Sequence, residues 1–336
     1  MKLGTASVDG LARVVAAGSD GKARLFETVC RAAGVEAPPT SLLELIENGP
    51  RGDELAALQP AIDSVARLDG PLDWLPPVSR PSKILGVAFN NVELMRKAHV
   101  DPGVPNFFLK APSAMQGHGK PIEIDPAWGA VIPEPEICAV IGSRARDISE
   151  ECALDYVFGF AIHNDVTSHG LKFGLDSVAI SYEPDLARAE FYRWRNLHGP
   201  DDRDAYYVYH ARSKGTDTFG PIGPWVTTAD QILDPNDVTI TADLDGEVFT
   251  VDHTSNYRFS VQACIAEASR YFTLEPGDII SFGTTGKGQG RFPRGHKSVL
   301  MGEVVGTIGI AIDGLGRLEN PIDHIDTGVD IASGRS

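Results

Sequence analysis

Glu134 and Glu136 stand two residues apart at the start of an apolar segment, residues 137–141, that is typical of a β-strand. Side chains at positions i and i+2 of a strand point to the same face, so the two carboxylates are expected to converge. Like charges that close repel each other unless a cation lies between them, and a hard divalent cation is the usual solution. The alternative is that the pair is simply a solvated face of a strand.

Asp165 follows a second apolar segment and is a natural third oxygen ligand. Three carboxylates with room for water molecules suit Mg²⁺, Mn²⁺ or Ca²⁺ far better than Zn²⁺. The sequence therefore predicts a divalent-metal site at these three acidic residues. Mg²⁺ is the expected ion, and Mn²⁺ and Ca²⁺ are alternatives.

The motifs around these carboxylates resemble, in their order along the chain, those of the fumarylacetoacetate hydrolase superfamily. The resemblance covers about residues 81–321. No single motif is decisive, but seven occur in the order of the family: Phe107-Phe108-Leu109-Lys110, Gly117-His118-Gly119, Glu134-x-Glu136, Asn164-Asp165, residues 214–224, Leu274-x-Pro276-Gly277-Asp278 and Gly283-Thr284.

The resemblance implies roles for several residues besides the three metal ligands. Lys214 matches a lysine beside the metal, where its charge would stabilise an oxyanion on the substrate. Thr284, after Gly283, matches a threonine whose hydroxyl and backbone N–H can hold a substrate carboxylate. Lys110 lies on a predicted strand and is a further candidate for substrate binding. The alternatives are a solvated lysine at 214, a turn residue at 284 and a structural or solvated lysine at 110.

The sequence departs from the family at the residues that activate water in hydrolytic members. These members often carry Asn-Tyr-x-x-His and a later glutamate on a mobile lid. Here Leu94 stands at the histidine position and Lys97 at the glutamate position, so the dyad is missing. Glu93, His99 and His118 are candidate substitutes, and each could instead be structural or solvated.

A second departure follows Asp165. His169 and Lys172 stand where the family usually has an arginine and a glutamine. Lys172 is therefore a candidate for contact with a substrate carboxylate. Residues 173–211 form a segment longer than in many relatives and rich in Tyr, Trp and Arg. It is predicted to be a substrate-covering flap or a dimer contact, with a plain surface helix as the alternative.

Composition excludes several classes of partner. The chain has 336 residues and a formal net charge of −16, which argues against nucleic acid and anionic membranes as partners. The expected substrates are themselves anions, so the site must supply local positive charge. No apolar segment has the length of a membrane span, and the amino terminus lacks a signal-like segment. The four scattered cysteines predict reduced thiols and a cytoplasmic protein.

Patterning predicts a predominantly β fold with few helices. Residues 1–75 are predicted to form a small N-terminal α+β domain, residues 76–82 a proline-rich linker, residues 83–321 the catalytic domain and residues 322–336 a mobile tail. The resemblance implies a mixed β-roll, usually as a homodimer. The predicted strands are 83–89, 137–141, 156–162, 238–244, 279–282 and 302–312, and the predicted helices are 149–156, 182–196 and 260–271.

The reaction expected from the resemblance begins with a metal-polarised 2-oxo acid and passes through an enolate. The favoured reaction is hydrolysis of a C–C bond in an acylpyruvate-type 1,3-dicarbonyl compound. The alternatives are dehydration of a 2-keto-3-deoxy sugar acid, or another lyase or decarboxylase reaction of a 2-oxo acid. A metal-binding protein without catalysis is a further alternative, but it would have no need of Lys214.

Overall fold

The structure is a computed structural model that describes residues 1–50, 52–96, 101–181, 204–329 and 331. The predominantly β fold predicted from the sequence is confirmed. The strands are β1 (Lys2–Val8), β2 (Leu11–Ala17), β3 (Ala23–Leu25), β4 (Asp73–Leu75), β5 (Ile84–Ala88), β6 (Asn106–Lys110), β7 (Met115–Gln116), β8 (Ile122–Ile124), β9 (Val131–Ile132), β10 (Pro135–Ile141), β11 (Val157–Asn164), β12 (Thr167–Ser168), β13 (Ser177–Ser181), β14 (Asp204–Val208), β15 (Gly220–Pro221), β16 (Trp225–Thr228), β17 (Thr239–Leu244), β18 (Glu247–His253), β19 (Ile279–Ser281), β20 (Thr307–Ile312) and β21 (Gly316–His324).

The helices are short except for the last. They are α1 (Phe26–Ala32), α2 (Leu42–Asn48), α3 (Gly52–Ala56), α4 (Gln59–Ile62), α5 (Val92–Met95), α6 (His169–Gly174), α7 (Ala211–Gly215) and α8 (Val261–Tyr271). The prediction of α8 was correct to within a residue. In the predicted helix at 149–156 only a 3₁₀ turn at Ala153–Tyr156 forms, and the predicted helix at 182–196 lies outside the described residues.

Two sheets contain most of the strands. The larger has ten strands in the order β3-β2-β1-β16-β11-β10-β19-β5-β6, with β4 paired to β1. The smaller has five strands in the order β18-β17-β20-β21-β8. Three two-stranded pairs, β12–β9, β13–β14 and β15–β7, lie outside them.

Strand β10 runs through the centre of the larger sheet and is buried on both faces. Ile137, Ala139 and Ile141 face a core shared with the smaller sheet and α8. Cys138 and Val140 face a second core shared with β1 and helices α1, α2 and α4. A strand buried on both faces is held rigidly by packing, so the residues at its amino-terminal end have fixed positions.

The first 75 residues are not separate from the rest of the chain, contrary to the expectation from the proline-rich segment. They contain strands and helices, as predicted, but β1 pairs with β16 and extends the larger sheet. Leu3 lies in the same apolar core as Val140. Thr5 donates a hydrogen bond to the carbonyl of Pro77 at 2.7 Å, and Val78 is buried. The predicted linker therefore packs against the body.

Side chains cap the first backbone N–H groups at the start of α2. Ser41 Oγ accepts a hydrogen bond from the backbone N–H of Glu44 at 3.1 Å, and the Glu44 carboxylate accepts the backbone N–H of Thr40 at 2.7 Å. Local sequence therefore determines where this helix begins.

The tail was predicted to begin at residue 322, but the chain remains bonded to the body beyond that point. Strand β21 continues to His324 and pairs with β8 in parallel. Ile325 donates its backbone N–H to the carbonyl of Ile124, and Thr327 donates its backbone N–H to Asp125 at 2.8 Å. Residues 330 and 332–336 lie outside the described residues.

Two findings bear on the environment of the chain. No helix in the described ranges is long and apolar enough to cross a lipid bilayer. The four cysteines all lie in the described part of the chain, and each is a free thiol.

Because β1 shares a core with the body, we expect the leading segment and the body to unfold together. Leu3 is fully buried in β1, whereas Leu11, on the adjacent strand, is 55% exposed. Leu3→Ala should lower the free energy of unfolding by about 2–5 kcal/mol in a single transition. Leu11→Ala is the matched control and should change it by less than about 0.5 kcal/mol. Denaturant unfolding followed by circular dichroism and tryptophan fluorescence checks this. Two separate transitions, with only the earlier one shifted by Leu3→Ala, would contradict it.

Candidate metal centre and active site

The register of β10 against β11 brings the three predicted ligands together. Glu136 pairs with His163, and the backbone N–H of Asp165 donates to the carbonyl of Glu134 at 2.9 Å. Glu134 and Asp165 therefore stand opposite each other just beyond the paired ends of the two strands. Directly opposite residues on one face have Cβ atoms about 4.5–5.5 Å apart. The carboxylates of Glu134 and Asp165 are thus forced to be neighbours.

The carboxylate oxygens of Glu134, Glu136 and Asp165 lie within 4.8 Å of one another. Glu136 and Asp165 are buried, and Glu134 is nearly so. A set of three acidic oxygens suits a hard divalent cation such as Mg²⁺, Mn²⁺ or Ca²⁺. The donor set therefore fits the metal predicted from the sequence, and these three residues would hold it.

Glu136 is fixed by two donors from the neighbouring strand end. Its Oε2 accepts hydrogen bonds from Ser281 Oγ at 2.6 Å and from the backbone N–H of Gly283 at 3.0 Å. His163 Nδ1 lies 2.8 Å from Ser281 Oγ, completing a buried chain of polar groups. Burial, followed by the charge of Asp165, raises the pKa of Glu136 to about 8.

Two buried lysines balance the charge of the cluster. Lys214 Nζ donates to both Glu134 and Asp165, and Lys110 Nζ donates to the second oxygen of Asp165 at 2.7 Å. Burial alone would raise the pKa of Asp165, but Lys110 and Lys214 hold that pKa below its usual value. Burial alone would lower the pKa of Lys214, but the carboxylates raise it above its usual value. Lys214 is therefore an ammonium ion. A bound metal would compete with it for the carboxylate oxygens of Glu134 and Asp165.

Lys214 is positioned by helix α7, which packs beside β6. Asp176 accepts the backbone N–H of Ser213 at 2.7 Å, and Arg212 pairs with the same carboxylate at 3.3 Å. The ring of Phe108 lies 4.5 Å from Lys214 Nζ, in cation–π contact. The lysine that the sequence motif indicated is thus held by contacts on three sides.

Gly283 and Thr284 lie at the end of β19, beside Glu136. Gly283 has a φ of 102°, and a Cβ there would lie 2.9 Å from Asn90, so only glycine fits this turn. Thr284 is buried, and its hydroxyl has no hydrogen-bond partner among the described residues. Thr284 directly follows Gly283, whose backbone N–H binds Glu136, and its buried unpaired hydroxyl is consistent with the predicted substrate-binding role.

Positive and neutral nitrogen groups form a rim around the carboxylates. Lys172 and His169 lie three residues apart on α6 and are both partly buried. Burial, reinforced by the charge of Lys214, lowers the pKa of Lys172. Burial lowers the pKa of His210 to about 4, and its ring lies 5.8 Å from that of Phe108. Within the rim Lys172 supplies the local positive charge that an anionic substrate requires in a protein of net charge −16, and the two histidines are neutral.

The structure does not bring the two predicted substitutes for the missing dyad into the cluster. His118 Nδ1 accepts the backbone N–H of Glu319 at 3.0 Å, and its ring packs edge-on against Trp74. Glu93 pairs with Arg96 at 2.7 Å on α5, beside Gly286. His118 therefore supports the β body, and Glu93 borders the segment that follows Thr284. Lys97 and His99 lie outside the described residues.

Of the aromatic segment at 173–211, the described parts are α6, the hairpin of β13 and β14, and α7. The hairpin pairs Ser177 with Val208 and leads into α7. Residues 182–203, with most of the tyrosines, tryptophans and arginines noted in the sequence, lie outside the described residues. The flap therefore stays a prediction.

His296 is a residue of the site that the sequence reasoning missed. It is 1% exposed, and its charge interactions are with Glu134, Lys297, His169 and Lys214. It lies about 160 residues beyond Glu134 in sequence, in a turn with no predicted element. Only its position in Gly295-His296-Lys297, close after the glycine-rich residues 283–290, could have drawn attention to it.

Comparisons with known proteins agree on one family. A family model described as the fumarylacetoacetate (FAA) hydrolase C-terminal matches residues 83–323. An uncharacterized protein of Pyrococcus abyssi is 33% identical over 230 residues, 68% of this chain and 89% of that protein. A mitochondrial oxaloacetate tautomerase of Xenopus laevis is 28% identical over 287 residues, 84% of this chain and 79% of its own length.

The fold is also that of solved structures of this family. Maleylpyruvate hydrolase from Sphingobium sp. SYK-6, solved with manganese(II) and pyruvate, is similar with a TM-score of 0.69 and 25% identity. The similarity covers 97% of this chain and all of that one. The fold type that the sequence resemblance implied is confirmed.

The raised pKa of Glu136 predicts a pH dependence of the metal-free protein. In the folded protein the Glu136 carboxyl has a pKa of about 8, and in the unfolded chain its pKa is near 4.5. Between these two pH values the folded protein keeps the proton and the unfolded chain has lost it. Its contribution to stability is therefore complete below pH 4.5 and is lost as pH rises through 8. We expect the stability of the wild type relative to Glu136→Gln to fall by up to about 1.4 kcal/mol per pH unit in this window.

Unfolding in urea with EDTA, from about pH 5 to about pH 8, measures this difference. The amide introduced by Glu136→Gln can still accept hydrogen bonds from Ser281 and Gly283 but cannot titrate, and the buried histidines contribute equally to both proteins. If the free energy of unfolding of the wild type, relative to that of Glu136→Gln, stays constant or grows with pH, the assignment of the raised pKa to Glu136 is contradicted.

Proposed function

The chain belongs to the fumarylacetoacetate hydrolase family, and on that premise we propose that it is a divalent-metal-dependent hydrolase. Its proposed reaction is cleavage of a C–C bond in an acylpyruvate-type 1,3-dicarbonyl 2-oxo acid. One observation carries the proposal: three acidic side chains and a lysine ammonium group converge in a buried site. Metal binding alone does not require the lysine, whereas stabilisation of an enolate does.

The metal ligands in this proposal are Glu134, Glu136 and Asp165. A divalent cation bound there would supply Lewis-acid polarisation of the substrate carbonyl. Mg²⁺ is the proposed ion, and Mn²⁺ and Ca²⁺ fit the same oxygen donors. The manganese in the maleylpyruvate hydrolase structure supports a divalent ion of this class.

Lys214 is proposed to stabilise the negative charge that develops on the substrate. When the C–C bond breaks, the electron pair moves onto the 2-oxo acid fragment and forms an enolate. The ammonium group of Lys214 lies among the carboxylates and would donate a hydrogen bond to the enolate oxygen. In the metal-free protein Asp165 and Glu134 raise the pKa of Lys214, so its side chain is an ammonium ion before a metal binds. As an ammonium ion it can serve as an oxyanion donor.

Thr284, Gly283 and Lys172 are proposed to orient the substrate. The buried hydroxyl of Thr284 has no partner among the described residues and can donate to a carboxylate. Lys172 adds positive charge on the α6 side. Lys110 binds Asp165 directly, so we propose that it supports the metal ligand rather than touching the substrate.

Tautomerisation of a 2-oxo acid is the second candidate function. Two observations favour it: the water-activating dyad of hydrolytic members is missing, and the Xenopus relative is an oxaloacetate tautomerase. Tautomerisation needs an enolate donor but no activated water. Assaying the purified protein, with Mg²⁺ or Mn²⁺, on acylpyruvates, oxaloacetate and 2-keto-3-deoxy sugar acids separates hydrolysis, tautomerisation and dehydration.

We propose a cytoplasmic homodimer as the working form. The cysteine usage and the family resemblance support this proposal. Light scattering at micromolar concentration should give twice the chain mass of 36.0 kDa. A monomer under these conditions would refute the dimer without affecting the proposed reaction.

Removal of one ligand should abolish tight metal binding. Glu136→Gln keeps the size of the side chain but removes the carboxyl group that must lose its proton to bind a metal. Mn²⁺ affinity should therefore fall by about 100-fold or more, because even outer partners of a metal site are worth about 10–100-fold. Glu123→Gln, at an exposed position of β8, is the matched control and should bind Mn²⁺ as the wild type does. Titration calorimetry measures both. Equal affinity of Glu136→Gln and the wild type would refute the site.

Lys214→Met keeps the bulk of the side chain and removes its charge. Loss of a preorganised oxyanion donor should lower kcat by about 10²–10³-fold. Mn²⁺ affinity should stay equal or rise, because the ammonium group that competes for Glu134 and Asp165 is gone. Lys120→Met, whose lysine pairs with Asp73 at the surface, is the control. Retention of more than about a third of the wild-type kcat, where chemistry limits the rate, would show that Lys214 does not act on the reaction.

A further inference from the structure

His296 has no hydrogen-bond partner for either ring nitrogen among the described residues, although it is 1% exposed. Among the histidines of the described residues, it is the one that is buried with both ring nitrogens unpaired. His163 bonds Ser281 through Nδ1, and His324 bonds the carbonyl of Met301 at 2.8 Å. A buried donor or acceptor without a partner destabilises a fold, so no hydrogen bond within the described residues explains why an imidazole is buried here.

The turn that carries His296 packs beside the strands that hold the carboxylate cluster. It lies in the 3₁₀ turn Gly295–Ser298, which packs against β9. Strand β9 ends at Ile132, two residues before Glu134, and pairs with β12, which begins two residues after Asp165. The turn is held in place on this face, because Met301 donates its backbone N–H to the carbonyl of Val131 at 2.8 Å.

The charged neighbours of His296 are those of the site. In order of influence they are Glu134, Lys297, His169 and Lys214. Burial outweighs the attraction of Glu134 and lowers the pKa of His296 to about 4. The imidazole is therefore neutral at neutral pH and has a lone pair available to accept a proton.

We propose that His296 is the catalytic proton carrier of this site and replaces the histidine–glutamate pair that the sequence lacks. This inference rests on the proposed hydrolysis. His296 removes a proton from water, and the oxygen of that water adds to the acyl carbonyl carbon. The C–C bond then breaks, its electron pair passes to the enolate, and the imidazolium returns the proton to the enolate carbon. One water is consumed, a carboxylic acid and a 2-oxo acid form, and the imidazole ends neutral.

The first test is removal of the imidazole with chemical rescue. His296→Ala should lower kcat by about 10²–10⁴-fold with a small change in KM. Added imidazole should restore a measurable part of the loss, which a purely structural role would not allow. His253→Ala is the matched control: His253 bonds Ser255 and Asp237 at the surface, and the variant should keep wild-type activity. Activity of His296→Ala within about threefold of the wild type would overturn the proposal.

The second test needs neither turnover nor metal. If the ring has no structural partner, His296→Leu should leave the thermal midpoint of the metal-free protein unchanged or raise it. A midpoint lowered by more than about 5 °C would show that the imidazole is structural and would overturn the proposal.

The third test separates this inference from the proposed hydrolysis. With Mn²⁺, wild-type protein should exchange the methyl protons of pyruvate for deuterium from D₂O, followed by NMR, and His296→Ala should lose this exchange. Exchange that depends on His296, without cleavage of any acylpyruvate, would refute hydrolysis and keep His296 as the proton carrier. Cleavage of an acylpyruvate at a rate that His296→Ala does not change would support hydrolysis and refute His296 as the proton carrier. A wild type that neither cleaves nor exchanges would refute both.

Discussion

Like-charge repulsion among three buried carboxylates is the constraint on which the rest of the site depends. The antiparallel register of β10 and β11 sets Glu134 opposite Asp165, and the strand period places Glu136 on the same face. Burial prevents water from screening these charges, so the fold must supply cations or protons. Lys110 and Lys214 supply the cations, and the raised pKa of Glu136 supplies the proton. In this metal-free site a divalent ion could replace the proton on Glu136 and the contact of Lys214 with the carboxylates.

The surrounding elements can be understood from this requirement. Strand β6 ends at Lys110, and α7 presents Lys214 above the ring of Phe108. The carboxylates raise the pKa of Lys214 above its usual value, whereas burial still lowers the pKa of Lys110 against the attraction of Asp165. The two lysines in turn hold the pKa of Asp165 low. Glu134 and Asp165 balance the two lysines, so positive charge beyond this balance comes from Lys172 on α6, in a chain of net charge −16. An anionic substrate would meet repulsion over most of the surface and attraction at the rim of the site.

The sequence predicted the parts of the site that depend on local spacing. Glu134 and Glu136 followed from the period of a strand, and α8 followed from its apolar period. Asp165 was predicted from its position after a second apolar segment, and the family resemblance supported it, but no local pattern determines the register that sets it opposite Glu134. His296 could not be predicted, because it reaches the cluster through a turn that packs on β9 from a distant part of the chain. The shared core of Leu3 and Val140 was missed for the same reason: pairing of β1 with β16 joins residues more than 200 positions apart.

The most direct test of the account is the crystal structure of the protein soaked in Mn²⁺, with data collected at the manganese absorption edge. We expect one anomalous peak per chain, from a manganese ion bound by oxygens of Glu134, Glu136 and Asp165 at about 2.0–2.6 Å. Lys214 should be displaced from Glu134 and Asp165 but remain at the edge of the site. No peak at these carboxylates, with Lys214 still bridging Glu134 and Asp165 at saturating Mn²⁺, would contradict the account.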